Sequence, residues 1–546
     1  MNKNIKNISF VLIGVLLVNF ASTSFFKRFD LTQDQRYTLS KITSDLVNNL
    51  EQDLIINVYL EGDFPTEFQR LQIETRQFLE ELEAKNNNVR FRFVNPDGIR
   101  EELIKNGMMP SQLSVEEDGK LSEAIIFPWA ELFYGEKMQI VSLLPNSMAS
   151  SQEEQLQNAI AAIEHSFANG IQLITQTDQK KIAVLSGNGE LEDLKLFSFL
   201  SELGKKYRLA KFTLDSVENT PDKTLQQLQK FDLSIIAKPT KKFTSKEKLV
   251  LDQYIMNGGK TLWMIDNLSA DTDSLYNEGK MLAFPRDLNL TDLLFSYGVR
   301  INNKLVQDLY ASKLTLAAGM VGNQPQFESF NWFYHPLAAG NPNHPITKNI
   351  LPVRLQFTTQ IDTLKKNIKK TPLLISSVLT KLSGTPKIIE LESVTKEPSQ
   401  EEYAAGNQLL AVLLEGEFES AYENRIKPFD FKTYQKKSTS NKMVVIADGD
   451  IGKNQLVKGK PYDLSVDKWT QQRFGNKDFL VNTVDYLLDD NGLIQLKNKS
   501  IQLRVLDKKK AYSERKFWQV FNIALPLLLL LVFGLGFNFW RKKKYQ

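Results

Sequence analysis

The chain has 546 residues, with 68 Lys and Arg against 64 Asp and Glu, a net charge of +4, and no cysteine. Arg541, Lys542, Lys543 and Lys544 account for that net charge, so no basic face remains elsewhere for nucleic acid. The lack of cysteine excludes disulfides, thiolate nucleophiles, Cys-ligated zinc and a lipoprotein anchor.

In chain order, the first element is an uncharged run from Asn7 to Phe26, between Lys6 and Lys27. At about 1.5 Å per residue it spans the roughly 30 Å of bilayer hydrocarbon. Ala21-Ser22-Thr23-Ser24 also resembles a signal-peptidase site, which leaves a cleaved signal peptide as the alternative. The matching run at the other end, Phe517 to Trp540 between Lys516 and Arg541, has Trp518 and Trp540 at headgroup depth. Lys3, Lys6 and the RKKK tail favour both termini inside, although Lys508 to Lys510, Arg515 and Lys516 precede the second span. The expectation is a bacterial inner-membrane protein with cytoplasmic termini, a periplasmic body and lipid headgroups around the tail.

Between the spans, Leu54 to Leu60 reads as a strand. A helix follows, with Phe68, Leu71, Thr75, Phe78, Leu79 and Leu82 on one face. Val89, Phe91 and Phe93 alternate with Arg90 and Arg92, as in a half-exposed strand. A short helix near Arg100 to Lys105, a hairpin around Gly135-Glu136-Lys137 and a helix capped by Ser151 with Glu154 complete this part. The order β-α-β-α-β-β-α predicts a thioredoxin-like domain over 28–175. Glu61-Gly62-Asp63-Phe64-Pro65 stands at its redox position, so thiol chemistry is absent.

A polar hinge at Gln176 to Lys181 opens a doubly wound α/β domain over 176–505. Ile182 to Leu185, Phe231 to Ala237, Thr261 to Ile265 and Met443 to Ala447 read as its strands. Helices are expected at Leu191 to Tyr207, after Thr244 with Glu247, and at Asp478 to Asp489. Residues 270–440 read as a β-rich elaboration of that domain. Residues 1–27 and 506–546 carry the two spans.

Gly258-Gly259-Lys260-Thr261 mimics the tail of a phosphate-binding loop, but it closes a helix and opens a strand, the reverse of the motif. Gly187-Asn188-Gly189-Glu190 and Asp448-Gly449-Asp450 each follow a strand, at the edge where α/β sheets take ligands. Each reads first as a hydrogen-bonded turn. If the two edges meet, Glu190, Asp448 and Asp450 form one pocket. His165, His335 and His344 show no triad order, and no catalytic, metal or cofactor residue is assigned.

Arg36-Tyr37-Thr38-Leu39-Ser40, Phe231-Asp232-Leu233 through Gly258-Gly259-Lys260 and Asp266, and Gly475-Asn476-Lys477-Asp478-Phe479-Leu480 with Asn482 resemble the gliding-associated ABC-transporter auxiliary family, GldG. The likeness covers most of the chain. It departs at Asn188, where relatives often carry histidine. The resemblance implies a non-catalytic, substrate-binding accessory subunit beside an ABC permease and a separate ATPase. It also implies a link to gliding motility and surface-protein secretion, with a glycan or peptide as ligand. The competing expectations are a membrane-anchored glycan hydrolase working through paired carboxylates and a sugar-binding module.

Overall fold

The computed structural model describes residues 13–14, 38–62, 64, 66–117, 120–144, 152–176, 178–322, 324–498 and 508–545. The first expected span, apart from Ile13 and Gly14, lies outside them, as do Arg36, Tyr37 and Ser151. The chain divides into two compact units, Met1–Ser500 and Ile501–Gln546.

The first unit opens with α1 (Lys41–Asn48), which the sequence pattern did not reveal. Its Ser40 cap accepts from the Thr43 amide. Then come β1 (Leu54–Val58), α2 (Thr66–Lys85), β2 (Val89–Phe93) and α3 (Arg100–Lys105). A hairpin of β3 (Ser111–Glu117) and β4 (Lys120–Ile126) precedes β5 (Trp129–Tyr134), β6 (Lys137–Ser142) and α4 (Gln152–Thr175). The four-stranded sheet runs β2-β1-β5-β6, with β1 parallel to β2 and antiparallel to β5. Phe78 of α2 stacks on Phe167 of α4 at 5.5 Å between ring centroids.

The larger sheet begins with β7 (Lys181–Ser186), α5 (Asp193–Gly204), β8 (Arg208–Thr213), α6 (Pro221–Leu228), β9 (Leu233–Ala237), α7 (Ser245–Met256) and β10 (Lys260–Met264). Short elements follow: β11 (Leu268–Ser269), α8 (Thr272–Glu278), β12 (Lys280–Pro285) and α9 (Thr291–Ser296). The next strands are β13 (Val299–Asp308), β14 (Ala311–Val321), β15 (Gln324–Gly340), β16 (Val353–Arg354) and β17 (Thr359–Thr363). After them come β18 (Lys369–Ile375), β19 (Thr380–Gly384), β20 (Lys387–Glu390), β21 (Leu409–Glu419), β22 (Lys437–Ile446) and α10 (Asn476–Leu488).

Five strands pair in parallel in the order β8-β7-β9-β10-β22. The segment between β10 and β22 adds β21, β18, β15 and β14 to the same sheet, all antiparallel. It therefore extends the sheet instead of folding apart. Side chains alternate between two cores. Trp263 and Val445 face α7, while Leu262, Met264 and Val444 face α5 and α10. Burial on both faces explains why these strands read as continuous apolar runs.

The Gly258-Gly259 turn shows why the chain stops being helical there. Gly258 has φ +90°, and a Cβ on Gly259 would lie 2.3 Å from the Tyr254 ring. It caps α7 and feeds β10, as the order of elements requires.

The second unit contains α11 (Arg515–Tyr545). Its stretch Arg515–Lys544 is long and apolar enough to cross a membrane and is not buried against protein.

Candidate functional site

β9, β10 and β22 lie side by side in parallel register, so the residues just beyond their ends converge. Those residues are Lys238, Asp266 and Asp448, with Asp450 one turn later. Lys238 adopts φ +53°, a conformation rare for a side-chain-bearing residue. A Cβ on Gly449 would lie 2.7 Å from Cβ and Cγ of Lys238, so only glycine lets the two loops touch.

The carboxylates Asp266, Asp448 and Asp450 are 7%, 0% and 3% exposed, and their nearest oxygens lie within 4.8 Å of one another. The Lys238 ammonium sits among them. It reaches Asp266 at 3.2 Å and Asp271 at 3.4 Å, and it donates to Asp450. Lys453 bonds Asp271 at 3.2 Å and Asp273 at 3.0 Å. Asp448 accepts from the backbone amides of Gln356 and Asp450, and Asp266 from that of Gly449.

Burial would lower the Lys238 ammonium, but Asp450, Asp266 and Asp271 outweigh it and hold it above the ordinary lysine range. Burial pushes Asp266 up to about 6 despite Lys238. It raises Asp448 well above the carboxylate range, with Asp266 and Asp450 adding to the effect. The charge a metal ion would neutralise is met here by Lys238. The carboxylates are tied to amides and ammonium groups, and do not face each other across a cleft as glycan hydrolysis needs.

A pocket of about 230 Å³ opens above this cluster, at the carboxyl edge of the parallel strands. Lys453, Asn454 and Gln455 come from the loop after β22, Thr272, Asp273 and Tyr276 from α8, and Lys195 from the first turn of α5. The far wall is Lys313 and Thr315 of β14, His335 of β15 and Arg354 of β16. Asp467, Lys468 and Trp469 close the rim. Arg354 is buried, donates to Asp467 at 2.9 Å and lies 4.6 Å over the Phe474 ring. His335 packs edge-on against Phe357, and burial pushes its imidazole well below the ordinary range, so it is neutral.

Glu190 follows β7 and Asp450 follows β22, and β10 and β9 stand between those two strands in the sheet. Burial raises the Glu190 carboxyl, and Glu247 and Asp215 add to the effect. Its two oxygens lack hydrogen-bond partners. The loop carrying it is closed by its neighbours: the Asn188 carbonyl accepts from the amides of Thr240 and Lys241. His344 is half of a ring contact with Tyr486 at 4.9 Å, and burial lowers it to about 4. His165 lies on α4, in a separate cleft.

Sequence reasoning singled out Asp448 and Asp450 but missed Lys238, Arg354 and Asp467 as site residues. A signal existed for Lys238. Each of three apolar strands ends in one charged residue: Ala237-Lys238, Ile265-Asp266 and Ala447-Asp448. Nothing comparable marks Arg354 or Asp467.

Residues 33–132 match a family described as a domain of unknown function. An uncharacterized protein of Borreliella burgdorferi is 20% identical over 530 residues, covering 95% of this chain and 94% of the relative. Among solved structures, the mmIFT52 N-terminal domain is similar at 15% identity, over 57% of this chain and 99% of that domain, with a TM-score of 0.32. Residues 179–483, more than half of the chain and the whole of the pocket, match a further family model, and the chain belongs to that family, described as an ABC-type uncharacterized transport system.

Proposed function

We propose that this protein is a non-catalytic, membrane-tethered accessory subunit of an ABC-type complex, acting beside a permease and a separate ATPase chain. Family membership carries the reading, joined by the apolar helix Arg515–Lys544. The run from Asn7 to Phe26 supplies a second tether, with both termini cytoplasmic and the body on the periplasmic side of the inner membrane. Tethering at both ends holds the body beside the permease at high effective concentration. By the resemblance at Thr38-Leu39-Ser40 and Gly475 to Asn482, the complex serves gliding motility and surface-protein secretion.

Several observations support the domain reading of 28–175 and 176–505. The order β2-β1-β5-β6 with β5 reversed suits a thioredoxin-like domain, and its missing cysteines make it redox-dead. The order β8-β7-β9-β10-β22 with apolar cores on both faces suits a doubly wound domain. The engaged carboxylates favour holding and relaying over turnover.

Affinity purification of the tagged full-length chain in mild detergent tests the assignment. A polytopic permease and an ATPase should co-purify in fixed ratio, and a chain that runs alone refutes it. Protease protection in spheroplasts with a tag at each terminus tests the topology: added protease should remove the body and spare both tags, and a protected body or a lost tag overturns it.

A further inference from the structure

The edge pocket has an uneven distribution of charge. Its two carboxylates are already neutralised, Asp467 by Arg354 and Asp273 by Lys453. Three lysines remain at the mouth: Lys195 on α5, Lys313 on β14 and Lys468 in the loop before Trp469. None of the three forms an ion pair with a described residue; Lys468 donates to the Leu456 carbonyl at 3.3 Å and lies 5.4 Å over the Trp469 ring. They come from three elements far apart in sequence, so their convergence is a property of the fold. Lys195 also sits in the first helical turn, where a positive charge opposes the helix dipole. An anion between these lysines would offset their mutual repulsion and the unfavourable dipole at Lys195.

The rim adds a flat apolar wall. Trp469 is 51% exposed, and Phe327 stacks on it at 5.4 Å with 26° between the rings. Tyr276 lines the same opening. At about 30 Å³ per water, 230 Å³ holds roughly eight waters, the size of one ring-sized group. Thr272 and Gln356, bonded to each other at 3.0 Å, line it as neutral polar groups, and Asn454 and Gln455 are held there by Ser198, Tyr462 and Asp467.

We propose that this pocket binds a small organic anion, a phosphate ester or carboxylate on a ring-sized body, with the charge between Lys195, Lys313 and Lys468 and the ring against Trp469. This goes beyond membership of a transport complex and does not depend on it: a chain that purifies alone still has the pocket.

The test uses the full-length protein in detergent at low salt, with thermal melting and calorimetry as readouts. The probes are glucose 6-phosphate, glucuronate, inorganic phosphate and glucose at millimolar concentration. At least one of the two ring anions should raise the melting midpoint, since a ligand of the folded state alone stabilises it. The effect should shrink with added salt. The stronger ring anion identifies phosphate or carboxylate as the recognised group. The variant Lys195→Gln/Lys313→Gln should bind it at least tenfold more weakly while melting, without ligand, within 1 °C or so of the parent, because Lys313 is exposed, Lys195 is half-buried and neither pairs with a described carboxylate. Trp469→Ala should weaken the ring anion and leave inorganic phosphate unchanged. The proposal is overturned if neither ring anion binds, if glucose binds equally well, if inorganic phosphate matches the ring anions, or if the double lysine variant binds like the parent.

Discussion

Replacing Lys238 by methionine keeps the length of the side chain and removes its charge from among Asp266, Asp448 and Asp450. Those three groups are at most 7% exposed, and their nearest oxygens are within 4.8 Å of one another. Breaking a buried ion pair by deleting one partner costs about 3–5 kcal/mol, because the other charge stays desolvated. For a body spanning residues 38–498, at about 2.1 cal/mol/K of unfolding entropy per residue, that is roughly 3–5 °C of melting temperature. The loss should depend on pH in a defined direction. In the parent, Asp266 titrates near 6 in the folded state, above the value near 3.9 of an unfolded aspartate. Folding therefore takes up a proton, and the stability it adds is complete below about pH 4 and lost as pH rises through 6. Without the Lys238 ammonium the carboxyls move further up, so the fall becomes deeper and extends to higher pH. Lys238→Met should thus be farthest from the parent at pH 8 and closest at pH 4 to 5. Adding Asp450→Asn should recover part of the loss. Thermal unfolding of the full-length chain, followed by tryptophan fluorescence at several pH values, is the assay. A variant that melts with the parent at pH 8, or that loses the same amount at every pH, refutes the account.

Gly259→Ala places a methyl 2.3 Å from a ring whose hydroxyl is fixed to the Phe231 carbonyl at 3.1 Å; overpacking of this kind costs about 1–3 kcal/mol, read as a lower urea midpoint. Asp252→Ala strands three buried donors, the Tyr297 hydroxyl, the Ser420 hydroxyl and the Ala421 amide, and should cost on the order of 3 kcal/mol or more in the same assay. Because burial raises Asp252 above the ordinary carboxylate range, its own contribution falls as pH rises, so the gap between Asp252→Ala and the parent should widen on acidification toward pH 4. Phe78→Ala empties the contact with Phe167 between α2 and α4 and should destabilise that part of the chain by about 3–5 kcal/mol, seen as earlier proteolysis within residues 38–176.

Apolar runs made four of the five parallel strands of the large sheet legible, because strands covered on both faces read that way; the edge strand β8, largely exposed, was missed. The capping box of Thr244 and Glu247 placed α7, and both side chains make the expected bonds. The antiparallel half was hidden for a physical reason. β14 and β15 are one long hairpin whose outer residues are largely exposed, so no alternating pattern is imposed on them. The hairpin of β3 and β4 was not read from the sequence either. The site was half visible: strand ends mark Asp448 and Asp450 of the buried cluster, but the pocket's far wall comes from β14, β15 and β16, and nothing local identifies Lys313 or Arg354 as neighbours of Lys453. Glu190 and Asp450 follow β7 and β22, and β9 and β10 stand between those strands, an order that no local pattern in the sequence reveals.

The insertion between β10 and β22 also governs when the molecule becomes competent. Thr261 pairs with Met443, a closure of roughly 180 residues, whose entropy cost alone is about 4–5 kcal/mol. That pairing is therefore a late event during folding. Lys238 and Asp266 emerge early from the ribosome but wait for Asp450, Lys453 and Arg354 before any cavity exists. A half-made body has nowhere to hold a ligand, so occupancy by itself certifies that the whole excursion has returned.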